Sequence, residues 1–211
     1  MWKARHLGFT VRIWYNTRTM ASETDFREAI RRDVSAGTRR LVSEFGTCLF
    51  GIAFSLTGNA ADAEDLTFRT LERAVEKIEQ YDPAREILPW LYSILVNFWK
   101  MNRRKKGTNA LDFCEEMREA ESDVRTPVEE LIRKQDAQTV AAAVQALPPD
   151  AREVVVLRYY EDLPLKTVAE ILSIPYGTVK SRLHAAKRQL RENLLRTFSE
   201  HPAYIDTEEN S

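Results

Sequence analysis

Residues 165–190 read LKTVAEILSIPYGTVKSRLHAAKRQL, and few folds accommodate that stretch. Leu165 to Leu172 has helical apolar spacing and predicts a short helix. Ser173-Ile174-Pro175 predicts a tight turn, and Pro175 suits the first position of a following helix. Ala169 falls where the two helices approach, a place for a small residue. Val168, Leu172, Ile174, Val179 and Leu183 form a miniature core, and Ala186 and Leu190 prolong its seam. Upstream, Leu147-Pro148-Pro149-Asp150 is a turn and cap, followed by a helix over Ala151–Tyr160. The whole predicts a helix-turn-helix. Its last helix, 175–190, points Thr178, Lys180, Ser181, Arg182, His184, Ala185, Lys187 and Arg188 away from the seam. Such a helix fits a DNA major groove, with its N-terminal half near base edges and its cations on phosphates.

That cationic face sits in a chain of formal net charge −1, so acids must be concentrated elsewhere. Residues 96–106 carry Lys100, Arg103, Arg104, Lys105 and Lys106 and no acid. Residues 175–196 carry Lys180, Arg182, Lys187, Arg188, Arg191 and Arg196 against Glu192. Between them, residues 111–130 hold Asp112, Glu115, Glu116, Glu119, Glu121, Asp123, Glu129 and Glu130 against Arg118 and Arg125. Basic blocks flanking an acidic one suggest macromolecular partners.

The fold class expected is all-α. Gly is scarce (7 of 211 residues), strand-like alternation is rare, and Ala, Leu, Glu, Arg and Lys favour helix. The first helical domain, 22–106, opens with a helix from Asp25 to Leu56. Asn59 caps a second helix, along which Ala63, Leu66, Thr70, Leu71, Ala74, Val75 and Ile78 recur at spacings of three and four. After the loop 81–88, Pro89 opens a third helix through Trp90, Tyr92, Phe98 and Trp99 into the basic run 103–106. Aromatics beside cations suit unpaired bases, although Trp90 and Phe98 also fit a core. A flexible acidic linker spans 107–125. Thr126-Pro127-Val128-Glu129 has the form of a capping box and opens the second domain, 126–198. Residues 199–211 form a polar tail.

Other function classes find little support. No nucleophile–base pair, Gly-rich phosphate loop or Cys/His cluster stands out, so neither an enzyme nor a metal or cofactor site is expected. Cys48 and Cys114 lie far apart, as thiols of a reducing cytoplasm would. No run approaches the roughly 20 apolar residues that span a membrane. Residues 1–21 are read as a disordered N-terminal extension, basic and aromatic, without the apolar core of a signal peptide.

Taken in order, LTGNAADAEDL (56–66), YDP (81–83), PWLYSI (89–94), LPPDAREVVVLRYYEDL (147–163) and VAEILSIPYGTVKSRLHAAKRQL (168–190) resemble a bacterial RNA polymerase sigma factor of the extracytoplasmic-function (ECF) group. The resemblance implies a non-catalytic initiation factor that binds core RNA polymerase, recognises two elements of promoter DNA and assists melting. It implies that the first domain is sigma region two. There Asp62, Glu64, Asp65 and Leu66 would meet core polymerase. Asn97, Lys100, Arg103 and Arg104 would serve the minus-ten element, with loop 84–88 as a pocket for an extruded base. The second domain would be region four, with Thr178, Lys180, Ser181, Arg182, His184, Lys187 and Arg188 at the minus-thirty-five element. An anti-sigma protein is the implied inhibitor, and the linker would pass through the polymerase interior. The chain departs from the family pattern at Thr67-Phe68-Arg69, Leu88, Met101, Ser173 and Ala185. Two alternatives are a stand-alone helix-turn-helix regulator, which leaves helix 89–106 unexplained, and a sigma mimic that sequesters an anti-sigma factor.

Overall fold

The computed structural model describes residues 26–106 and 137–200, and among them every regular element is helical. The N-terminal extension, the acidic linker, the Thr126–Pro127 cap, Cys114 and the polar tail beyond Glu200 lie outside the described residues.

The expected single helix over 25–56 is split. Asp33 leaves helical geometry (φ −150°, ψ 103°), and its carboxylate accepts the Ala36 N–H at 3.0 Å. Asp is a better N-cap than helix-interior residue, so α1 (Phe26–Arg32) ends and α2 (Val34–Thr57) begins there. The chain doubles back so tightly that a Cβ at Gly37 would lie 2.6 Å from Ile30 Cγ1. Phe26 packs on Phe45 with ring centroids 5.4 Å apart.

α2 stops at Gly58, whose left-handed φ of 71° directs its N–H to the Phe54 carbonyl at 2.8 Å. Asn59 caps α3 (Ala60–Glu76), as the sequence predicts, by accepting the Asp62 N–H at 3.0 Å. A single 3₁₀ turn, Ile78–Gln80, and a loop held by Tyr81 and Asp82 lead to α4 (Ile87–Lys106). α4 starts earlier than Pro89, which therefore sits in its first turn, where a missing N–H costs nothing. Leu41, Leu49, Ile52 and Leu56 of α2 meet Leu66 of α3 and Leu91 and Leu95 of α4 in the core. Each such side chain contributes about 1.5–3 kcal/mol by leaving water.

The second unit begins with helical residues 137–145 and turns at Leu147-Pro148 into α5 (Pro149–Val155). The helix expected to continue to Tyr160 instead widens into a π turn, Val156–Tyr160. α6 (Leu165–Leu172) and α7 (Tyr176–Glu200) complete the helix-turn-helix. Val168, Leu172, Val179, Leu183 and Ala186 are buried, and Ala169 lies where the helices meet, as their spacing predicts. The turn pivots on Ser173 in left-handed geometry (φ 54°, ψ 44°), a conformation that costs a non-glycine residue.

The units do not stand apart. α4 packs on α6, and α2 on α5 and the π turn, so buried residues of both units belong to one core.

Candidate nucleic-acid interface

The outer face of α7 is largely as expected. Lys180, Ser181, His184, Lys187 and Arg188 are exposed, and Thr178 is partly covered. Lys180 Nζ stands 5.8 Å from the Tyr176 ring and Lys187 Nζ 5.8 Å from the Tyr159 ring. Both aromatics are themselves exposed, so these weak cation–π interactions leave the ammonium groups accessible. Ser181 Oγ donates back to the Thr178 carbonyl at 3.0 Å.

Arg182 departs from the outward-facing expectation. Its guanidinium turns inward, donating to Glu153 Oε1 at 3.0 Å and to Asp150 Oδ2 at 2.9 Å. Position 182 borders the Val179–Leu183 seam, so a long side chain there reaches the acids of α5 over the helix shoulder.

The basic end of α4 divides in the same way. Asn97 and Arg104 are exposed. Lys100 Nζ lies 3.5 Å from Glu153 Oε2 and donates to the Leu172 carbonyl at 3.3 Å. Arg103 donates both Nη groups to Asp150 Oδ1 at 3.2 and 3.1 Å, while its guanidinium rests 5.3 Å from the Trp99 ring. Cations of α4 and α7 therefore converge on two acids of α5. Asp150 takes Arg103 on one oxygen and Arg182 on the other. Glu153, with a fully buried side chain, takes Arg182 and Lys100. Burial pushes the Glu153 carboxyl above its ordinary range, and the Lys100 ammonium opposes that rise.

The aromatic residues of α4 do not form an open stacking platform. Tyr92 and Trp99 are buried. Trp90 leans on Tyr81 at 5.4 Å, and Phe98 lies under the Arg69 guanidinium at 4.7 Å. Tyr92 O–H donates to the Glu161 carboxylate of the other unit, and Cys48 Sγ lies 2.8 Å from the same hydroxyl. Burial raises the Glu161 carboxyl, against the lowering effect of the Tyr92 and Cys48 hydrogen bonds.

On α3, Asp62, Glu64 and Asp65 are exposed. Leu66 is not, being 1% exposed in the core, so it can support such a surface only from beneath. The unusual Thr67-Phe68-Arg69 resolves into three roles. Thr67 is buried and bonds the Ala63 carbonyl at 2.7 Å, Phe68 is 69% exposed, and Arg69 bridges Asp65 and Asn102 at 3.3 and 3.1 Å.

Sequence reasoning also missed Gln145 and Arg152. Gln145 Nε2 donates to the Ser55 carbonyl at 2.7 Å and Arg152 Nη1 to the Leu56 carbonyl at 2.7 Å, capping α2 from the other unit. Their polarity near a turn gave no hint of a partner so distant in sequence.

Comparison with known proteins agrees with this architecture. The family model described as Sigma-70 region 2 matches residues 41–108, and that described as Sigma-70, region 4 matches residues 137–190. The ECF RNA polymerase sigma factor SigW of Bacillus subtilis is 30% identical over 157 residues, covering 69% of this chain and 82% of that protein. SigL of Mycobacterium tuberculosis, another ECF sigma factor, is 35% identical over 158 residues, covering 74% and 88%. Among solved structures, the sigma factor RpoE of Bartonella quintana, in complex with the anti-sigma factor NepR, superposes with a TM-score of 0.61 at 25% identity. That match covers 75% of this chain and 96% of RpoE. Helix-turn-helix, basic α4 and both sigma regions thus occur in one order along one chain, which belongs to the extracytoplasmic-function group of RNA polymerase sigma factors, transcription initiation factors that direct polymerase to promoters.

Proposed function

We propose that this factor divides promoter recognition between α7 and α4. The exposed cationic row of α7 carries the reading. Lys180, Lys187 and Arg188 neutralise phosphates at the minus-thirty-five element, while Thr178, Ser181 and His184 stand nearest the base edges. Arg182 orients this helix through Asp150 and Glu153 and reaches DNA only if it leaves them. On α4, Asn97 and Arg104 meet the minus-ten element first, and Lys100 and Arg103 join once their acids are displaced. Asp62, Glu64 and Asp65 offer core polymerase an acidic strip over the buried Leu66. The factor works by binding, without bond chemistry of its own, and acts where polymerase is, in the cytoplasm. An anti-sigma protein is its expected inhibitor, as NepR is described with RpoE.

Transcription from a library of bacterial promoters with purified core polymerase tests the reading. Core-dependent, sequence-selective initiation is expected. A chain that neither binds core polymerase nor starts RNA on any promoter would leave the sigma-mimic reading in its place.

A further inference from the structure

Asp150 and Glu153 resemble a pair of phosphates in what they bind. Each carboxylate takes a cation of α4 on one oxygen and Arg182 of α7 on the other. Lys100 and Arg103, half of the set assigned to the minus-ten element, thereby have their charge neutralised inside the protein. The same seam is closed by hydrogen bonds from Gln145 and Arg152 to the last carbonyls of α2, and from Tyr92 to Glu161. The groups that bond across the seam are polar and would be satisfied by water on separation, so the cost of opening lies in the apolar side chains of α2 and α4 that leave the shared core.

We propose that Asp150 and Glu153 are an intramolecular latch. In the free protein they hold the two units together through Lys100 and Arg103, and nucleic-acid phosphates displace them. The closed form withholds two of the five α4 cations, so DNA that binds them draws the population to the open form by its differential affinity. The latch rests on the reading of α4 as a DNA-binding helix.

The test uses the full chain with Cys114→Ser, leaving Cys48 as its thiol. Cys48 lies at the seam beside Tyr92 and Glu161, so its alkylation by iodoacetamide reports opening, and small-angle scattering reports the radius of gyration. Asp150→Asn removes the charge from the second unit, and Arg103→Gln breaks the same ion pair from the first without touching the helix-turn-helix. Each is expected to raise the alkylation rate about fivefold and to enlarge the radius of gyration. Random-sequence single-stranded DNA at low salt, without polymerase, is expected to do the same to the parent protein and to have less effect on Asp150→Asn. Rates within twofold of the parent in both variants, with unchanged scattering, overturn the latch. Open variants with a parent protein that DNA leaves closed overturn the displacement by phosphate. These readouts need no promoter and no polymerase. If the variants open as expected but core polymerase starts no RNA, the sigma-factor reading fails alone.

Discussion

The two basic helices differ in what surrounds their charge. α7 shows Lys180, Lys187 and Arg188 to solvent, with only weak ring interactions at its two lysines. α4 shows Arg104 but places Lys100 and Arg103 against acids of the opposite unit. Similar runs of Lys and Arg therefore do different work. One run is available to a polyanion at once, and the other becomes so only after an internal exchange. The count of cations in a segment predicts neither state, because the deciding carboxylates belong to another helix.

The sharpest break in this comparison comes from its shared acid. Glu153→Gln removes a buried carboxylate that serves Lys100 and Arg182 together; since burial already disfavours its charge and both cations keep some access to water, it is expected to cost the second unit about 1–3 kcal/mol in denaturant unfolding. A cost under about 1 kcal/mol would mean that the cations find water instead. Next in size is DNA binding by α7. Lys180→Ala with Arg188→Ala should flatten the slope of log affinity against log salt by about 2, one for each phosphate no longer neutralised. The corresponding change at Lys100 and Arg103 should move the slope less in the closed protein. Equal reductions at the two helices would erase the distinction between them.

A smaller effect belongs to the turn that aims α7. Ser173 is held at φ 54°, so Ser173→Gly is expected to stabilise the second unit by about 1 kcal/mol, read as a raised unfolding midpoint. A lowered midpoint would show that the Ser side chain compensates for its backbone.

The smallest effect concerns pH. Glu161 titrates above its ordinary 4.5 when the seam is closed, chiefly through burial. A carboxyl raised in the closed form binds protons more tightly there than in the open form. Closure therefore strengthens as pH falls from above the raised value towards 4.5 and weakens as pH rises through that value. Glu161→Gln, neutral throughout, should remove this part of the pH dependence of the scattering radius. A slope unchanged by the substitution would assign it to another group.

Much of the helix-turn-helix was legible from spacing. Val168, Leu172, Val179, Leu183 and Ala186 fall on one face by helical period alone, and burial of that face leaves one way to pack the short helices. Asn59 was legible for a similar reason, since its side chain acts on a backbone N–H three residues away. Asp33 carried the same kind of signal, yet the apolar period continues through it and masks the break. The acid partners of Arg182 and Lys100 were not legible, because period assigns a residue to a face but does not name what that face meets. Arg103 and Asp150 are 47 residues apart, and nothing local couples them. The π turn at 156–160 also escaped, because its apolar residues fit either winding.

Gly58 has a role at the seam as well as in its own turn. A Cβ there would lie 2.9 Å from Gln145 Oε1, so the bare backbone is the socket into which the Gln145 amide fits. Gln145 and Arg152 then read the end of α2 carbonyl by carbonyl. Such a joint contributes little to the strength of closure, since water serves those carbonyls when it opens. It fixes alignment instead. Each time the units return to one another, Lys100 and Arg103 arrive opposite the same two carboxylates, so the protein resets to a single off-state after each release from DNA.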